Sequence, residues 1–236
     1  MSSYRVGMVS LGCPKNQMDA ELMLARLRDA GYEITAESGL ADVVVVNTCG
    51  FIEDAKKEAI DNILEFAQLK KEGQIRGIVV TGCLAQRYID DLYREMPEVD
   101  GFMGVADYTR LLEMMKEAEQ GQRPRYVCDG ERFFRSDRVL TTPSYSAYVK
   151  ISDGCDNRCS YCAIPLIRGP YHSRPFAEIV EECRALAARG VTEITLIAQD
   201  TSRYGNDFPE GKLLLPELLE EVSAIEGVHW VRVLYC

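Results

Sequence analysis

Histidine is almost missing from this chain: His172 and His229 are the only two in 236 residues. Imidazole-based chemistry is therefore disfavoured, and both read as surface or hydrogen-bonded structural residues. Long apolar runs are missing too. The densest, Val43 to Val46, is far too short to cross a bilayer, and no apolar stretch follows Met1-Ser-Ser-Tyr-Arg5. The sequence thus shows no membrane span and no secretory signal, and reads as cytoplasmic. Positive charge is in deficit: 27 Lys and Arg against 37 Asp and Glu leave a net charge of −10. That average field repels nucleic acid, unless a local basic patch overrides it, and attracts a basic protein. The Lys56-Lys57 and Lys70-Lys71 pairs read as solvated helix faces. No internal repeat or low-complexity segment is evident.

Cysteine, by contrast, is plentiful, at nine residues. In a reducing compartment, with an odd count, the spacings suit metal ligands better than a disulfide framework. Cys155, Cys159 and Cys162 form a C-x-x-x-C-x-x-C triplet within one loop. Three thiolates with no fourth fit an iron–sulfur cluster whose last iron stays open. The competing reading is a zinc loop that recruits its fourth ligand elsewhere, for example His172.

Three further cysteines follow strand-like runs, each beside glycine: Gly12-Cys13, Cys49-Gly50 and Gly82-Cys83. In an open parallel sheet all strand carboxyl ends lie on one edge, so these three are expected to converge as a second three-thiolate site. The plainer reading is three small buried hydrophobes. Cys183 falls on an apolar helix face with Ile179 and Leu186 and reads as core. Cys128 and Cys236 read as linker and terminal residues.

The order of elements gives the fold class. Strands are expected at 5–11, 42–47 and 77–81, with helices at 16–30, 52–69, 85–95 and 107–119. The β-α-β-α rhythm predicts an N-terminal α/β domain with a parallel sheet over residues 1–120. Residues 121–144 read as a linker, with a short hairpin around Tyr126 to Phe134. A second βα series occupies 145–236, with strands at 147–151, 193–198 and 229–235 and helices at 176–189 and 213–225. Three βα units cannot close a barrel, so the sequence reads as a truncated piece of a longer protein. Such a piece is expected to be inactive alone. Arg158, Arg168 and Arg174 around the cysteine loop are either a cationic clamp for a carboxylate or phosphate, or simply solvated.

Cys155-x-x-x-Cys159-x-Tyr161-Cys162 after a strand resembles the radical S-adenosylmethionine superfamily. Combined with Cys13, Cys49 and Cys83, it resembles the methylthiotransferases over residues 5–236. Ser10-Leu-Gly-Cys-Pro-Lys-Asn16 and Gln199-Asp-Thr-Ser-Arg-Tyr-Gly205 are similar to the branch that acts on a ribosomal protein. Ala20 departs from the serine often found there.

The resemblance implies the first half of a partial TIM-like radical barrel, two [4Fe-4S] clusters and S-adenosylmethionine. It implies attachment of a methylthio group to the β-carbon of an aspartate in protein twelve of the small ribosomal subunit. The cluster on Cys155, Cys159 and Cys162 would bind S-adenosylmethionine and, given one electron from a reductant such as flavodoxin, yield the radical that abstracts hydrogen. The cluster on Cys13, Cys49 and Cys83 would hold the sulfur to be inserted and methylated. Tyr161, Ala198 and Gln199 would contact the nucleoside and methionine parts. Asn16 and Asp19 would support the N-terminal site, although an Asn there could equally be a helix cap. The alternatives are a tRNA adenosine methylthiotransferase and a non-catalytic zinc or iron–sulfur module.

Overall fold

A computed structural model describes residues 4–105, 108–127 and 137–236. Its contacts divide the chain into two units, Met1–Phe133 and Phe134–Cys236.

The first unit is built on a parallel sheet. Its elements are β1 (Arg5–Ser10), α1 (Pro14–Asp29), β2 (Glu33–Thr35), β3 (Val43–Thr48), α2 (Glu53–Lys71), β4 (Gly77–Gly82), α3 (Cys83–Glu95), β5 (Gly101–Met103), α4 (Leu111–Glu119) and β6 (Arg125–Tyr126). The six strands lie in the order β2-β1-β3-β4-β5-β6, every pair parallel. Every residue of β3 and β4 is buried, as their unbroken Val-rich runs require of strands covered on both faces. On one face Val44, Val46, Ile78, Val80 and Phe102 pack with Ala59, Ile63 and Phe66 of α2 and Leu84 and Leu92 of α3. The strand order reverses between β1 and β3. In open α/β sheets such a reversal marks the carboxyl edge where ligands bind.

The second unit contains β7 (Ser146–Lys150), β8 (Ser152–Asp153), α5 (Ile164–Arg168), β9 (His172–Ser173), α6 (Phe176–Ala188), β10 (Glu193–Ile197), α7 (Leu215–Ser223) and β11 (Trp230–Val233). Three strands pair in parallel in the order β11-β10-β7. Val149, Ile151, Ile194 and Leu196 form a core with Ile179, Cys183 and Leu186 of α6 and Leu218 and Val222 of α7. Among the described residues no helix is long and apolar enough to cross a membrane.

The longer expected elements are present. The short ones β2, β5, β6, β8, β9 and α5 carry too few residues to show a period. Tyr126, expected to open a hairpin, instead pairs in parallel with Met103 at the sheet edge. The rest of that expected hairpin, with Cys128, lies outside the described residues.

Candidate metal centres

Cys13, Cys49 and Cys83 follow β1, β3 and β4, three adjacent strands, so the sheet brings their loops to one edge. Two close approaches show how tightly. A Cβ on Gly12, whose φ is +97°, would stand 2.7 Å from Cys49 Cβ, and one on Gly50 would stand 2.8 Å from Leu84 Cα. Only glycine fits at either position, and its absence of a side chain lets each loop rest on the next. Cys13 is the N-cap of α1 and Cys83 opens α3. The amides at these helix starts favour negative charge at both. Asn16, fully buried, sends its Nδ2 to the carbonyls of Leu11 (3.1 Å) and Thr48 (2.8 Å), while its Oδ1 accepts from Cys83 Sγ (3.4 Å).

The 155–162 triplet lies on an excursion of the second unit. Its base is closed where β8 pairs antiparallel with β9, Ser152 opposite Ser173 and Asp153 opposite His172. Asp153 is buried, accepts from Gly154 N (3.0 Å), and lies 3.3 Å from Lys150 Nζ and 3.4 Å from Arg168. Within the loop Cys155 N donates to Gly169 O (3.1 Å) and Cys162 N to Cys159 O (2.9 Å), which turns the second and third cysteines together. Asn157 ties the loop to the segment after β10: its Nδ2 donates to Asp200 (3.0 Å) and its Oδ1 accepts from Arg203 (3.1 Å). Cys155 is buried, Cys162 partly so, and Cys159 exposed.

In both places the loops are gathered but the sulfurs have not closed on a point. Among the described residues no three His, Cys, Asp or Glu side chains stand close enough to hold an ion. The donor sets still fit iron–sulfur clusters. Each offers three soft thiols on loops that the fold brings together, and glycine leaves room beside the first set. Gln199 supplies a second sign in the second unit: both of its amide atoms are buried, with no hydrogen-bond partner among the described residues. A buried amide left unsatisfied is costly, and a polar ligand would relieve it.

The remaining expected residues divide. Tyr161 is 85% exposed, and the neighbouring Cys159 raises its pKa. Ala198 is fully buried in the apolar core. Arg168 and Arg174 are buried, contrary to the solvated reading. Arg168 is buried beside Asp153, and Arg174 donates to Glu182 (2.6 Å) and to Lys150 O (2.8 Å). Arg138 also pairs with Glu182. No local pattern signals this, because Arg138 falls in the expected linker and Glu182 reads as one more charge on a surface helix. Lys70 is not simply solvated either: it holds Asp100 at 2.6 Å.

Cys183 sits in the core, and burial pushes its thiol up to about 12. At about pH 8.5 such a group is roughly one part in three thousand thiolate. In native protein, iodoacetamide should therefore label exposed Cys159 and Cys236 and spare Cys183 until the chain is unfolded, as peptide mass mapping would show.

Comparison with known proteins agrees with this layout. Residues 5–104 match the family described as uncharacterized protein family UPF0004, and residues 149–232 match the radical SAM superfamily. The chain is 51% identical over 236 residues to the ribosomal protein uS12 methylthiotransferase RimO of Desulforudis audaxviator. It is 48% identical over 239 residues to the protein of the same name from Clostridium kluyveri.

The chain is a homologue of the uS12 methylthiotransferases that carries a UPF0004 domain and a radical SAM domain.

The two alignments cover 98% and 100% of this chain but 52% and 53% of those relatives, so the chain spans about half their length. Among solved structures, the radical S-adenosylmethionine methyltransferase TsrM from Kitasatospora setae, with cobalamin and a [4Fe-4S] cluster bound, aligns with a TM-score of 0.57 at 16% identity. That alignment covers 93% of this chain and 50% of TsrM. The cobalamin-dependent radical enzyme OxsB aligns with a TM-score of 0.56 at 12% identity, over 97% of this chain and 38% of that one. At such identities the likeness concerns the fold alone. That fold is the α/β arrangement described above.

Proposed function

We propose that this chain supplies two [4Fe-4S] sites for transfer of a methylthio group to the β-carbon of an aspartate in ribosomal protein uS12. Residues 1–120 would carry the first site, on Cys13, Cys49 and Cys83. Residues 145–236 would carry the second, on Cys155, Cys159 and Cys162, with 121–144 as linker. The observation that carries this reading is the gathering of three single-cysteine loops at the strand-order reversal of a sheet, in a chain that also bears the C-x-x-x-C-x-x-C loop. A zinc module has no use for the first set. Identity of 46–51% to uS12 methylthiotransferases and a net charge of −10, suited to a basic ribosomal protein, favour uS12 over tRNA.

When bound, the clusters and S-adenosylmethionine supply one-electron cleavage and the sulfur to be inserted. The chain's own residues hold and orient them. The thiols of each set are the soft ligands. Gln199 offers a donor and an acceptor to the polar end of S-adenosylmethionine, and Tyr161 and Ala198 border the same ligand. Asn157 fixes the cysteine loop against Asp200 and Arg203. A one-electron protein reductant such as flavodoxin completes the partners.

Anaerobic reconstitution tests the reading. About eight irons per chain, with reductive cleavage of S-adenosylmethionine to methionine and 5′-deoxyadenosine, is the expected result. Added uS12 should gain the methylthio mass while tRNA does not. Stoichiometric zinc without cleavage, or modification of tRNA in place of uS12, would overturn it.

A further inference from the structure

We infer that Asn16 is a positioning residue for the first cysteine set: one side chain that locks the Cys13, Cys49 and Cys83 loops together before metal arrives. The inference rests on the cluster reading above and adds to it a residue that touches no substrate.

Capping does not explain Asn16. The N-cap of α1 is Cys13, with no side-chain cap bond, and Asn16 lies three residues further on. Its amide points away from the helix ladder. Nδ2 donates to Leu11 O, in the loop that carries Cys13, and to Thr48 O, directly before Cys49. Oδ1 accepts from Cys83 while that thiol is protonated; once Cys83 binds iron as thiolate this bond is given up, and the two donors to Leu11 and Thr48 remain. The amide orientation is fixed by chemistry, since two carbonyls can only accept and a thiol can donate. The backbone of Asn16 is held in turn, its carbonyl accepting from Asn47 Nδ2 at 2.7 Å. Asn16 is fully buried, so no water competes for these bonds.

The geometry leaves little choice of residue. The three loops come from three strands; past the end of β1, Leu11 N donates to Asn47 O (2.9 Å), and Asn16 adds the side-chain bonds. A short planar group with two donors and one acceptor joins all three. Aspartate has the shape but no donor. Alanine has neither. Partners that orient ligands without touching the metal typically carry about 10–100-fold in metal retention.

The test isolates the first site. In a parent chain with Cys155→Ala, Cys159→Ala and Cys162→Ala, reconstituted iron reports on the first set alone. The readouts are iron per chain, about four in the parent, and the rate at which a chelator strips it. Asn16→Ala and the isosteric Asn16→Asp should each speed stripping by about 10–100-fold. Asn16→Ala, which is neutral, carries the test of the lost bonds; Asn16→Asp also removes the donors to Leu11 and Thr48 but adds a negative charge beside the thiols. Leu92→Ala, a core truncation between α3 and the sheet, serves as the stability control and should leave stripping within about twofold. Unchanged stripping in either Asn16 variant, or equal acceleration by Leu92→Ala, would overturn the positioning role. A parent that takes up no iron would instead overturn the cluster reading of Cys13, Cys49 and Cys83.

Discussion

Replacing Cys159 with alanine should lower reconstituted iron from about eight to about four per chain and abolish 5′-deoxyadenosine production, while the first site stays filled. Cys49→Ala should give the same iron loss but leave reductive cleavage intact and remove sulfur insertion. The contrast follows from where the two residues sit. Cys159 is exposed on a loop closed at its base by its own short ladder, so shortening its side chain disturbs no packing. Surface changes of this kind cost within about 0.5 kcal/mol, too little to unfold the unit. Cys49 is buried against Gly12, and removing its sulfur leaves a small void next to the same sheet edge. The two sites hang on different sheets, with separate cores. Loss of both activities from either single variant would show that they are not separate sites.

Replacing Glu182 with glutamine should destabilise the second unit by about 3–5 kcal/mol. Glu182 is 1% exposed and faces two buried arginines, Arg138 at 0% and Arg174 at 3%. Burial, with the charge of Arg138 beside it, already pulls Arg174 down to about 10. Removing the one carboxylate leaves two cations facing each other in a site with little water, and desolvation is not repaid. The same arginines brace the site. Arg174 donates to Lys150 O at the end of β7, its carbonyl accepts from Tyr204 (2.9 Å), and Arg138 reaches Tyr148 O. Amide exchange should therefore accelerate through β7, β10 and α6, with β3 and β4 of the first unit unaffected. A loss below about 1 kcal/mol would mean the pairs are as weak as exposed ones.

Much of this was legible in the sequence. The valine runs of β3 and β4 are unbroken because both faces are covered, and α2 repeats its apolar residues every three or four positions. Those patterns are local, set by which way successive side chains point. The cysteine triplet was legible for the same reason: its spacing lies within one loop. The short strands were not. Glu33–Thr35, Gly101–Met103 and Arg125–Tyr126 hold their places by pairing with a neighbour already in the sheet, and two or three residues show no period. Tyr126 takes its direction from Met103, its partner in the sheet, while the rest of the expected hairpin lies outside the described residues. Arg174 was misread for a related reason. A charged residue looks solvated until the opposite charge, here on a helix turn eight residues away, is folded against it.

By itself the sequence determined which atoms are available: six thiols in two sets of three, on strands and helices that alternate. Only the tertiary structure decided that β1, β3 and β4 are neighbours, that the strand order reverses beside Cys13 and Cys49, and that the amide of Asn16 reaches all three loops. Side-chain chemistry and spacing are properties of a few consecutive residues. Which distant residues meet depends on how strands pair and how buried polar groups find partners, and those energies exist only once the chain has closed on itself.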